Sequence, residues 1–150
     1  MTLDDRTAAS PLATVLRLLE AANRHDLDAL VACFAENYVN ETPAHPLRGF
    51  TGRAQVRRNW QRIFAGAPDI TVSLTSHSAD GPLIWAELAM DGNRPDGSRS
   101  SLAGVVIFLV VGGTISAARF YLEPVELLSG GVDEAVGGFA ANGAPESVQP

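Results

Sequence analysis

The sequence contains no lysine and a single cysteine, Cys33. One thiol closes no internal disulfide and builds no multi-thiolate zinc site, so stability must come from a packed core, and a reducing compartment is compatible. The 11 basic residues are therefore all arginine, and against 17 acidic ones they leave a formal net charge of −6. An acidic chain is a poor match for nucleic acid or for an anionic membrane surface, both of which need a basic face. Long apolar runs are missing as well. The longest, Val105 to Val111, is seven residues, far short of the roughly 20 that cross a bilayer as a helix. Residues 1–10 show no basic stretch followed by an apolar one, so no signal peptide is read there. The expectation is a soluble, cytoplasmic protein without membrane or nucleic-acid partners.

What is present is an ordinary globular balance, with 46% hydrophobic and 19% charged residues in a chain of 150. That length fits one domain. We read residues 1–10 as a flexible N-terminus, 11–128 as the domain, and 129–150 as a Gly/Ala-rich tail with a short helix over Val132 to Phe139. Ser10-Pro11 supplies a hydroxyl cap followed by proline at the first helical position. Leu12, Val15, Leu16, Leu19 and Ala22 then recur at helical spacing. Asp26 caps a second helix whose apolar face is Leu27, Leu30, Val31 and Phe34. Between Tyr38 and Gly52 the pattern lapses into a short extended piece and a loop. A third helix follows over Arg53 to Ala65, with Val56, Trp60, Ile63 and Phe64 inward. The period then switches to extended. Four strands are expected over Ile70–Ser76, Leu83–Met90, Leu102–Val111 and Ile115–Glu123, with a two-glycine hairpin at Gly112-Gly113. Helices first and hairpin-linked strands afterwards predict an α+β fold with a mostly antiparallel sheet.

The order and spacing of particular segments resemble a known superfamily. These segments are His25-Asp26-Leu27-Asp28-Ala29-Leu30, Phe34-Ala35-Glu36-Asn37-Tyr38, Gly49-Phe50-Thr51-Gly52-Arg53 leading into Trp60, Pro68-Asp69-Ile70, and Ile115 through Pro124. Over about Leu12 to Leu128 the chain resembles the SnoaL-like polyketide cyclases of the nuclear-transport-factor-like superfamily. The resemblance implies a cone-shaped α+β barrel, three N-terminal helices packed on a curved sheet around an apolar cavity. It also implies a homodimer. It does not by itself fix a reaction, since the fold serves isomerases, cyclases, epoxide hydrolases and plain binding proteins.

Position by position, the resemblance carries over few of that superfamily's catalytic groups. The steroid-isomerase base aligns with Thr42, its tyrosine with Leu18 and its acid with about Val105, so that set is lost. The closing-strand carboxylate of the epoxide hydrolases aligns with Phe120, which leaves that triad incomplete. A SnoaL-type aldol closure needs only one acid/base group, and the segment Tyr38 to Pro46 supplies candidates where the fold puts its base. Histidine is the side chain that exchanges protons near neutral pH unaided, which makes His45 the first candidate; fixing its loop is the alternative role. Glu41 either orients His45, acts alone, or pairs with a helix arginine such as Arg57. Glu87 is the third catalytic candidate, with ion pairing to Arg119 or Arg99 as its alternative. Strict alternation turns Asn40 and Thr42 inward and Glu41 outward. Asn40, Thr42, Trp60, Phe64, Trp85 and Phe120 are the expected substrate-binding side chains. Arg119 and Tyr121 fall on the opposite face of the closing strand. No metal-ligand set and no dinucleotide or phosphate motif is legible, so neither metal nor cofactor is expected. The function expected is acid/base chemistry on a hydrophobic polyketide- or terpenoid-like molecule, against the alternative of a non-catalytic hydrophobic-ligand or assembly module.

Overall fold

The computed structural model describes residues 10–128 and 130–141; the expectation of a flexible segment over 1–9 and the end of the tail lie outside the described residues. Helix α1 (Pro11–Asn23) starts as its sequence dictates, with Ser10 Oγ accepting from the Ala13 amide at 3.1 Å. Its buried stripe is Val15, Leu18, Leu19, Ala21 and Ala22, whereas Leu16 is turned outward. The helix rotates this way because Thr14, fully buried, donates from Oγ1 to the Gly113 carbonyl at 3.2 Å, pinning that side to the far hairpin.

Helix α2 (Leu27–Ala32) is capped by Asp26, whose side chain accepts from the Ala29 amide. It is two residues shorter than its apolar spacing predicts. Phe34 belongs instead to strand β1 (Phe34–Glu41), because the Cys33 carbonyl accepts from the Ile115 amide at 2.8 Å and draws the chain into the sheet. A short 3₁₀ turn (Pro46–Arg48) and strand β2 (Phe50–Thr51) lead into helix α3 (Arg53–Gly66). Strands β3 (Thr71–Asp80), β4 (Leu83–Asn93), β5 (Arg99–Val111) and β6 (Thr114–Pro124) follow, each longer than its apolar core alone indicates. Gly112 and Gly113, with φ of 60° and 80°, form the tight β5–β6 turn in the left-handed conformation that a two-residue hairpin requires. Helix α4 (Val132–Ala141) closes the described chain, two residues longer than predicted, with every side chain exposed.

The six strands form one sheet in the order β2-β1-β6-β5-β4-β3. All neighbours are antiparallel except β1 and β6, whose parallel register runs Phe34 to Ile115 and Asn40 to Ala118 across an irregularity. This is an α+β fold in which the N-terminal helices pack on one face of a curved, mostly antiparallel sheet. The core lies between them, where Ile84, Ala86, Leu88 and Met90 of β4 and Val106, Phe108 and Val110 of β5 meet α1. The turn between α1 and α2 is tied to β3: Asn23 pairs with both backbone groups of Val72, and a ring nitrogen of His25 lies 2.9 Å from the Ile70 carbonyl. Among the described residues no buried side-chain nitrogen or oxygen lacks a partner.

Candidate active site

Helices and sheet part at one end of the core to leave a cavity of about 310 Å³. Leu18, Leu19 and Ala22 of α1 form one wall and Val56, Trp60 and Ile63 of α3 another; Val72, Leu88, Met90, Leu102, Phe108, Phe120 and Leu122 form the sheet side. The walls follow from two periods. On α3, positions 56, 59, 60 and 63 share one helical face, and on β6 the inward set 118, 120 and 122 alternates with the outward 119 and 121.

The polar part of the lining comes almost entirely from β1 and the loop after it: Tyr38, Asn40, Thr42 and Arg48, joined by Asn59 from α3. Alternation along β1 turns Tyr38 and Asn40 inward, and Thr42 continues the same phase just beyond it. Tyr38 is 1% exposed and donates from its hydroxyl to Asn40 Oδ1 at 2.8 Å. Burial pushes its phenol well above the ordinary range, so at neutral pH it is a fixed donor. Phe34 and Phe50 meet the Tyr38 ring edge-on, at centroid distances of 4.8 and 6.0 Å, and hold it in place. Asn40 in turn reaches Thr42 Oγ1 through Nδ2 at 3.5 Å. Asn59 accepts at Oδ1 from Gln55 Nε2 at 2.8 Å.

Four of the expected residues, Asn40, Thr42, Trp60 and Phe120, line the cavity. Phe64 lies behind Trp60, and its ring stacks on His25 at 4.7 Å instead of facing the opening. Trp85, Glu87 and Glu41 project from the opposite, outer face of the sheet, all exposed; the register sets Glu41 across from Arg119 and Glu87 across from Val105. The reason is strand phase: β4 buries Ile84, Ala86 and Leu88 inward, which leaves 85 and 87 outward.

His45 falls in the chain between Thr42 and Arg48, two lining residues; it is half-exposed and is not itself part of the lining. One ring nitrogen, Nε2, is 2.9 Å from Glu123 Oε1. A carboxylate only accepts, so in this contact the ring donates from Nε2. Glu123 follows Leu122 on β6, in the outward phase of that strand with Arg119 and Tyr121. Its partnership with His45 spans 78 positions, and nothing local in the sequence signals it. Tyr38 and Asn59, by contrast, fall on the same alternation and helical face as residues already singled out.

A wider, open depression of about 710 Å³ between α2 and α3 is lined by Asp28, Glu36, Arg53, Arg57 and Arg58. Val31, Ala32, Gly52 and Ala54 complete its lining, and Arg57 pairs with Asp28 at 2.8 Å there. Among the described residues no group of three His, Cys, Asp or Glu side chains is placed to hold a metal ion. No described helix is long and apolar enough to cross a membrane. Burial pushes the Cys33 thiol up, and its Sγ donates to the Ala29 carbonyl; it is a core side chain.

A helix-lined cone with an apolar cavity and polar groups along β1 is the architecture of the nuclear-transport-factor-like superfamily. The model of the SnoaL-like domain matches residues 15–118, and the chain belongs to that family. No curated protein sequence matches it significantly. Among solved structures it is similar to a Mycobacterium tuberculosis protein in complex with estradiol-17β-hemisuccinate, at 22% identity and a TM-score of 0.66 over 79% of this chain and 95% of that one. IdmH of Streptomyces antibioticus, a candidate polyketide cyclase, matches at 22% identity and a TM-score of 0.66, over 75% and 91%. An M. tuberculosis epoxide hydrolase of the limonene type matches at 19% and 0.65, over 75% and 82%. At these identities the likeness is one of fold.

Proposed function

We propose that the chain is a small-molecule enzyme that performs acid/base chemistry on a mostly apolar, carbonyl-bearing molecule held in the cone cavity, with polyketide- or terpenoid-like skeletons as the substrate class. The observation that carries this reading is the division of the cavity. Its walls are apolar, and its polar groups gather at the β1 end, on the chain segment that also carries His45, whose ring pairs with Glu123. Such a pocket binds by burial and orients by a few polar contacts. His45 removes a proton from the carbon next to the substrate carbonyl through Nδ1, and Glu123 stabilises the imidazolium. Asn40 Nδ2 and the Thr42 hydroxyl donate to the enolate oxygen as its charge develops. The enolate carbon then bonds to a second carbonyl of the same molecule, and the proton on His45 passes to the alkoxide, closing a ring. Epoxide opening ranks below this, because no carboxylate of the described residues lines the cavity.

That same absence favours the second reading, a binding module without turnover. Both readings require the cavity. Leu102→Trp, which fills it from the β5 side, is expected to weaken binding of a naphthalene-based probe by at least about tenfold, as followed by calorimetry. Unchanged affinity would place ligand binding elsewhere.

We also propose a homodimer through the outer sheet face. Val39, Trp85 and Tyr121 are 40%, 45% and 43% exposed there, and the register aligns Leu83, Leu109, Ala117 and Val39 in one cross-strand row. Single exposed apolar residues are ordinary, but a contiguous row is the mark of an interface. Sedimentation at micromolar concentration should give about twice 15.8 kDa, and Trp85→Glu should halve it. A wild-type mass near 15.8 kDa would rule the dimer out.

A further inference from the structure

We propose that the ligand of the cone cavity is an acid, an apolar body carrying a carboxylate that is read by Arg48; this rests on the cavity being the ligand site. The polar atoms at the β1 end have a common sign. Asn40 Oδ1 is engaged by the Tyr38 hydroxyl, and Asn59 Oδ1 by Gln55. Thr42 Oγ1 already faces Asn40 Nδ2. What remains for a ligand is donors: the amide hydrogens of Asn40 and Asn59, the Thr42 O–H, and the guanidinium of Arg48. Among the described residues no Asp, Glu or His lines the cavity, so the one formal charge they place on its wall is positive.

Arg48 differs from the arginines nearby. Arg57 is paired with Asp28 and Arg58 donates to Gln55, whereas Arg48 makes no side-chain hydrogen bond or ion pair among the described residues. It is also held in place. Pro46 starts the 3₁₀ turn, the Arg48 amide donates to the His45 carbonyl at 2.9 Å, and Gly49 packs so close that a Cβ there would lie 3.2 Å from the Asn40 carbonyl oxygen. A guanidinium presented from a fixed turn at the edge of an apolar cavity matches a carboxylate, which accepts its paired N–H groups bidentately while the hydrocarbon part lies inside. In a chain of net charge −6, which repels anions at long range, binding of an acid would require such a local donor site.

The test uses 2-naphthylacetate and its neutral isostere 2-naphthylacetamide as probes of the full chain. Wild type should bind the acid about five- to tenfold more tightly than the amide, with the preference shrinking as salt is raised. Arg48→Met should abolish the preference by weakening the acid alone, Arg48→Lys should restore part of it, and Arg62→Met should leave it unchanged. Equal or tighter binding of the amide overturns the acid proposal while the cavity reading stands, as does a preference that survives Arg48→Met. Failure of both probes to bind overturns both.

Discussion

Gly104→Ala is expected to destabilise the fold by about 3 kcal/mol or more, enough to lower the melting temperature of a domain this size by roughly 6–12 °C. Gly104 is in the middle of β5, on the cavity side between Leu102 and Val106, with Leu88 on one flank and Leu122 on the other. Its φ is +153°, and a Cβ built on it would overlap the Tyr121 carbonyl oxygen while lying 2.9 Å from the carbonyl carbon and 3.0 Å from Leu122 Cα. All three atoms are backbone. No side chain can swing aside, so relief requires β5 and β6 to separate, at the cost of ladder hydrogen bonds that hold Phe120 and Leu122 against the cavity. Gly66 is the control: it ends α3 at a negative φ, and a Cβ there meets nothing within 4 Å, so Gly66→Ala should be neutral or slightly stabilising. Thermal unfolding of the two variants checks this, and equal melting temperatures would sink the account.

Why a glycine sits there could not be read from the sequence, where Leu102 to Val111 shows only an apolar run. Other features were legible because their cause is local. The Ser10 and Asp26 caps, the face of α3 and the Gly112-Gly113 turn each depend on residues within one turn or one hairpin. The start of β1 was not, because Leu27, Leu30, Val31 and Phe34 satisfy helical spacing. What makes Phe34 a strand residue is Ile115, 81 positions away, through the parallel pairing of β1 with β6. The same division runs through the site. Alternation from Tyr38 puts Asn40 and Thr42 at the cavity, and the structure has both there. For β4 the run Leu83 to Met90 is apolar on both phases except at Glu87, so the sequence leaves open which face carries Trp85 and Glu87; packing of Ile84 and Ala86 against the helices decides it. Local period thus locates the cavity wall, while the partner of His45, Glu123, arrives from the far end of the chain.

His45→Gln is expected to lower turnover of a carbonyl substrate by about 10²–10⁴-fold with little change in binding, the range lost when a positioned general base is removed. Glutamine keeps a hydrogen bond to Glu123 but has no nitrogen that accepts a proton at neutral pH, so the loss falls on the chemical step and not on the pocket. Glu123→Gln should have a smaller effect, about tenfold, since it leaves the imidazole in place and removes the fixed charge that favours the imidazolium. Glu41→Gln and Glu87→Gln change carboxylates on the outer face of the sheet and should leave turnover within about twofold of wild type, given that neither reaches the cavity. The four variants form a pattern that no general loss of stability reproduces, because all four sites are exposed or half-exposed and none is in the core. Turnover unaffected in His45→Gln would remove the histidine from the chemistry. With Tyr38, Asn40 and Thr42 then, among the described residues, the only polar groups on that wall besides Arg48 and Asn59, the site would be left with donors and no base, which is the composition of a binding site.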